Sequence, residues 1–171
     1  SENTSFKFDR TAGSDSSQYE VTYGRVRARV RKLAGLERFA ITGPSVVAGV
    51  RGTDFGYDVL YNAEEEKMVS SVYCFEGKVE VETTVPVVEA GAEDEIESGA
   101  APEEPRLIEI GADEMVQVQE FRSAVEQETG GALYLLRRNA VTEEIRTFWE
   151  TNDFKAAPEE LESEVEVEDT Q

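Results

Sequence analysis

The chain has 171 residues, of which 39% are hydrophobic and 32% charged, so one domain with a core of its own is expected. Thirty-seven acids face 17 lysines and arginines, a net charge of -20 that excludes a general nucleic-acid binder. Histidine is absent and cysteine occurs once. This removes the usual general base near neutral pH, an intrachain disulfide and any Cys-based zinc site.

No apolar run is long enough for a membrane helix. The first residue is Ser1, with no charged-then-apolar leader, and the chain is read as processed or trimmed. Residues 1–18 read as a flexible leader, in which Phe6-Lys7-Phe8 could add an edge strand.

From Tyr19 to Arg51 the charge reverses. Gly24 to Arg31 reads Gly-Arg-Val-Arg-Ala-Arg-Val-Arg, a strict alternation. Side chains of a strand point to opposite faces in turn, which sends Val26, Ala28 and Val30 to a core and Arg25, Arg27, Arg29 and Arg31 to the other face. These four arginines are the candidate binding residues. Their planar forks suit an acidic partner, while the plainer reading sets them against Glu80 and Glu82 of a neighbouring strand or against an acidic loop. Reversing Arg27 and Arg29 to Glu is expected to abolish partner binding and leave the fold intact.

Short strands are expected over Phe39–Thr42, Ser45–Val50, Phe55–Tyr61, Met68–Phe75 and Lys78–Thr84. Glu76-Gly77, between two alternating runs, reads as a hairpin turn. Residues 88–105 read as an acidic insertion loop, and Leu107 to Val118 returns to strands. Calcium could bind the acidic segments only weakly, because no Asp-x-Asp-x-Asp-Gly pattern is present.

Residues 121–154 fit helix better than strand. Leu133, Leu136, Ala140, Ile145, Phe148 and Trp149 form the expected apolar stripe, with Thr142 as an N-cap. Residues 155–171 read as an acidic disordered tail, in which Val165 and Val167 alternate with Glu.

The run from Phe39 to Phe55, Phe-Ala-Ile-Thr-Gly-Pro-Ser-Val-Val-Ala-Gly-Val-Arg-Gly-Thr-Asp-Phe, resembles the FecR-type domain family. Val72 to Val81 and Leu107 to Val116 extend the likeness, which spans about Tyr19 to Val118. The resemblance implies a mainly β, extracytoplasmic domain of short strands at residues 19–120, a twisted two-sheet solenoid or sandwich, to which the helical segment read above is a C-terminal addition. The best-known family members are iron-transport regulators that restrain a sigma factor and receive a signal from an outer-membrane transporter. This chain is read as departing from them in three ways: it shows no membrane helix or N-terminal cytoplasmic helical domain, it carries the acidic insertion near Glu89 to Glu104, and its C-terminal part reads as helical and then acidic.

Arg51, Gly52, Thr53, Asp54 and Phe55 are read as a structural motif. Gly52 permits a turn, Thr53 and Asp54 bond to nearby backbone or to Arg51, and Phe55 restarts the core. Cys74 is expected to be a buried or half-buried free thiol without a base to activate it. No catalytic residue, metal ligand or cofactor is assigned. The expected function is a non-catalytic interaction module of the bacterial cell envelope, periplasmic or otherwise extracytoplasmic, whose partner is another envelope protein. The alternatives are the periplasmic sensor half of a transmembrane, anti-sigma-type regulator, and a wall- or carbohydrate-binding module using Tyr57 and Tyr61.

Overall fold

A computed structural model describes residues 5–9, 16–31, 38–64, 66–91, 105–121 and 133–151. The strands are β1 (Ser5–Asp9), β2 (Ser16–Val30), β3 (Arg38–Thr42), β4 (Val46–Val50), β5 (Thr53–Asn62), β6 (Lys67–Glu76), β7 (Lys78–Thr83), β8 (Val87–Glu89), β9 (Leu107–Gly111), β10 (Glu114–Phe121) and β11 (Leu133–Ala140). A single described helix, α1 (Glu143–Thr151), follows.

The strands form one curled sheet in the order β8-β11-β10-β6-β5-β2-β3-β4-β7-β9, with β1 paired to β2 off that path. The expected pair of separate sheets is therefore corrected to a continuous half-barrel. The cause is β2, whose 15 residues serve two neighbourhoods. Ser16 to Glu20 run parallel to β3, and Gly24 to Val30 run antiparallel to β5. Gly24 lies at the junction with φ of 111°, a conformation that favours glycine.

Three corners carry the chain from the β4-β7-β9 side of the curl to the β5-β6-β10 side or back. They are Arg51-Gly52, Gly77 and the turn through Asp113. Glu76-Gly77 is accordingly no hairpin: β6 pairs with β5 and β10, whereas β7 pairs with β4 and β9. Gly52 and Gly77 have φ of 80° and 88°. They stack so closely that a Cβ on Gly77 would lie 2.9 Å from the Gly52 carbonyl oxygen. The Thr53 hydroxyl donates to the Lys78 carbonyl at 2.8 Å, and the Asp113 amide donates to the Cys74 carbonyl at 2.9 Å. The two ends of the sheet are tied by Arg106, just before β9, whose guanidinium meets Glu89 of β8 at 2.7 Å.

The inside of the curl is an apolar core. Val21, Ile41, Val46, Phe55, Tyr57, Val59, Val72, Val79, Val81, Ile110 and Val116 are almost wholly buried there. Val30 is buried, and Val26 and Ala28 pack against the same core, as alternation requires. Tyr57, one of the two tyrosines considered for carbohydrate stacking, is fully buried and donates its hydroxyl to the Val46 carbonyl at 2.7 Å. Tyr61 is exposed, so the two form no surface row.

The C-terminal expectation needs two corrections. Leu133 to Ala140 is a strand, antiparallel to β10 and parallel to β8, and only Glu143–Thr151 is helical. Leucines at positions 133 and 136 suit a helical stripe and a sheet face equally, and long-range pairing decides. At the start of the expected acidic loop, Val87–Glu89 forms β8 with both valines buried. Residues 92–104 of that loop, the Gly130-Gly131 break and the tail from residue 152 lie outside the described residues. Thr142 does cap α1: its hydroxyl accepts from the Ile145 amide at 3.3 Å.

Candidate functional site

The antiparallel register of β2 on β5 sets Arg29 opposite Asp54, Arg27 opposite Gly56 and Arg25 opposite Asp58. All six positions share the outer face of the sheet, so an Arg-x-Arg-x-Arg row faces an Asp-x-Gly-x-Asp row. Arg27 Nε and Nη2 donate to the two oxygens of Asp54, both at 2.9 Å. This fork-on-fork pair is the stronger type of ion pair, and only 13% of the Arg27 side chain and 14% of the Asp54 side chain are exposed. Arg29 Nε donates to the same Asp54 carboxylate at 2.9 Å, with 75% of its side chain exposed. Arg25 Nε lies 3.8 Å from Asp58. Arg31 is exposed at the end of the row.

The four arginines thus stand on one strand face, and Asp54 answers Arg27 and Arg29 while Asp58 lies beside Arg25, in place of Glu80 and Glu82. Glu80 lies on β7, where it pairs with Arg38 at 3.3 Å. Asp54 takes Arg27 and Arg29, while Arg51 is exposed at the corner. Phe55 is fully buried. Reversing Arg27 to Glu would set two carboxylates against each other in a half-dry site, so the Arg27 and Arg29 double reversal is not neutral for the fold.

Helix α1 lies across this row. Trp149 is buried among Tyr73, Phe75, Met115 and Val141, with Ile145 and Phe148 packed beside them. Gly56 makes the space, since a Cβ there would stand 3.0 Å from the indole ring. The Trp149 carbonyl accepts from Arg27 Nη1 at 3.0 Å. The Arg27 guanidinium lies 4.7 Å from the Phe75 ring centre, and that of Arg25 lies 4.8 Å from the Phe148 ring centre. The Phe148-Trp149 pair thus anchors helix to sheet on the side opposite the main core.

Between the start of α1 and the sheet lies a cleft of about 290 Å3, lined by Arg25, Asp58, Leu60, Tyr73, Glu144 and Phe148. Asp58 is its buried acid. Its carboxylate accepts from the Tyr73 hydroxyl at 3.1 Å. Burial pushes its pKa up to about 6, against the smaller downward pull of Ser71, Tyr73 and Arg25. A raised carboxylate binds its proton more tightly in the folded than in the unfolded chain. Its contribution to stability is therefore fullest at low pH and is lost as pH rises through about 6. The stability of the native chain minus that of Asp58→Asn is expected to fall by roughly 2 kcal/mol between pH 4 and pH 7. Urea unfolding at several pH values reads this, and a flat difference would refute the assignment.

Other chemistry is sparse. Burial first, then the charges of Asp54, Glu114 and Asp113, push the Cys74 thiol up to about 11, which keeps it protonated near neutral pH. Among the described residues no group of three or more Cys, Asp or Glu is placed to hold a metal ion. None of their helices is long and apolar enough to cross a membrane. The residues missed by sequence reasoning are Gly56, Asp58 and Tyr73. The spacing of Asp54, Gly56 and Asp58, two apart like the arginines, was the available signal.

Comparison with known proteins adds a family and a fold. The family model described as "FecR protein" matches residues 1–80. No curated protein matches the chain. Two crystal structures, at 1.65 Å and 2.50 Å, of a protein from Parabacteroides distasonis named as a "putative anti-sigma factor" share the fold. Each has a TM-score of 0.55 and 16% sequence identity, and the match covers 86% of this chain. It covers 52% of theirs, so the chain spans about half the length of these neighbours.

Proposed function

We propose, from the premise that this chain carries a FecR-type domain, that it is a non-catalytic interaction module in regulator-type signalling at the bacterial cell envelope. The contact surface is the arginine-bearing face of β2. The observation that carries this reading is the exposure of Arg29 and Arg31 on one strand face of a chain whose net charge is -20. Cations gathered on one strand of so acidic a chain give an acidic partner a directional site and speed its encounter. The lack of histidine and the raised thiol of Cys74 favour binding over catalysis.

Arg29→Glu with Arg31→Glu is the appropriate probe, since both residues are exposed. Capture of a defined envelope partner by the native chain is expected to fall at least tenfold in this variant, with an unchanged circular dichroism spectrum. Equal capture by both chains would remove the stripe as the contact.

A narrower reading makes this chain the periplasmic sensor part of a transmembrane regulator. The name of the Parabacteroides neighbours favours it. A membrane helix encoded upstream in the same reading frame is its requirement. The carbohydrate-binding alternative loses its support, because Tyr57 lies in the core.

A further inference from the structure

Helix α1 is the described element that lies across the outer face of the sheet, and its hold there is uneven along its length. Its second half is anchored by the Trp149 ring and by the Trp149 carbonyl on Arg27. Near its middle Arg146 pairs with Asp113 at the surface. Its first turn carries Glu143 and Glu144, and Glu144 lines the cleft that also holds Asp58. Nine residues make too short a helix to persist without such contacts, so α1 is the part of the fold suited to opening by itself while the sheet stays intact.

Asp58 is the group that such an opening relieves. It stands on a central strand and faces outward beneath the start of α1, with 5% of its side chain exposed. A carboxylate in so dry a place costs free energy in its charged form. The charged and titratable groups that face it are Arg25 from β2, Tyr73 from β6 and Glu144 from α1. Arg25 and the Ser71 and Tyr73 hydroxyls favour the charged form, and burial outweighs them, raising Asp58 to about 6. Glu144 brings a second carboxylate to the same cleft. Arg27, two residues along β2 from Arg25, is taken by Asp54. Burial holds the Tyr73 hydroxyl, and that of Tyr57 behind the strand, protonated far above neutral pH, so neither titrates with Asp58.

We propose that α1 is a pH-dependent cap on this face: it closes over Asp58 when that carboxyl is protonated and opens when it ionises. The proton leaves to water, and water solvates the carboxylate as Ile145 and Phe148 of α1 withdraw from the cleft. Opening also takes the Trp149 carbonyl away from Arg27 and uncovers Tyr73, Phe75 and Met115 beside the arginine row. The face offered to an acidic partner thus differs between acid and neutral surroundings. That consequence rests on the proposed contact role of β2. The cap does not, and its test needs no partner, so failure of one is separable from failure of the other.

The test is native-state amide hydrogen exchange of the full chain, each rate divided by the intrinsic rate at that pH to give an opening constant. Residues 147–151 of α1 are compared with those of β7. The α1 amides are expected to open more readily than β7 at every pH. Their opening constant should rise by roughly tenfold or more between pH 4.5 and pH 7.5, levelling off above about 6. In Asp58→Asn, which keeps an acceptor for the Tyr73 hydroxyl, it should stay level across the same range. Glu144→Gln should keep the rise. A level constant in the native chain would overturn the proposal, and so would a rise that persists in Asp58→Asn or vanishes in Glu144→Gln. Equal opening constants for α1 and β7 would also overturn it, since α1 would then open only together with the sheet.

Discussion

Trp149→Ala is expected to lower stability by about 3–5 kcal/mol, the range for truncating a large buried aromatic side chain. The indole is 2% exposed and fills the notch above Gly56, against Tyr73 and Phe75 at ring-centre distances of 5.1 Å and 5.9 Å. A nine-residue helix is too short to persist in water by propensity alone. Without its anchor, α1 should leave the sheet, exposing the aromatic cluster and the Arg27 and Asp54 pair. Denaturant unfolding followed by circular dichroism measures the loss. A shift below about 1 kcal/mol would mean that α1 is held by something other than this contact.

The second large effect belongs to Asp54. Asp54→Ala removes the one carboxylate that takes both Arg27 and Arg29, leaving the mostly buried Arg27 guanidinium without its bidentate partner. Breaking a buried pair from one side costs about 3–5 kcal/mol, because the remaining charge stays desolvated. Arg29→Ala should cost less than about 1 kcal/mol, since that side chain stands mostly in water. The contrast is the test: the two variants differ by one member of the same ion cluster. Similar losses in both would show that Arg27 finds another acceptor. The same contrast separates roles along β2, with Arg27 as a structural cation and Arg29 as a surface one.

Period-two alternation made β2 legible, because only a strand places Val26, Ala28 and Val30 on one face and the arginines on the other. The corner at Arg51-Gly52 is legible as a turn for a similar local reason, its single glycine. Where pairing is long-range, the local pattern misled. Gly77 between two alternating runs has the look of a hairpin, yet its stacking on Gly52 depends on a corner 25 residues earlier in the chain. Leu133 to Ala140 has spacing that a helix would accept, and only the ladders to β10 and β8 make it a strand. The partners of the arginines were hidden for the same reason. Asp54 and Asp58 meet them only once the register between β2 and β5 is set.

The double duty of β2 has a consequence for how the molecule assembles. Its first third waits for β3, its last half waits for β5, and β8 cannot be stitched in until β11 arrives some 45 residues later. Closing such distant loops before contacts repay them is slow, so refolding belongs in the millisecond-to-second class of non-local β proteins. During synthesis the amino-terminal strands emerge with their hydrogen-bonding groups unmet, and the nascent chain stays open to mispairing until the last strand is in hand.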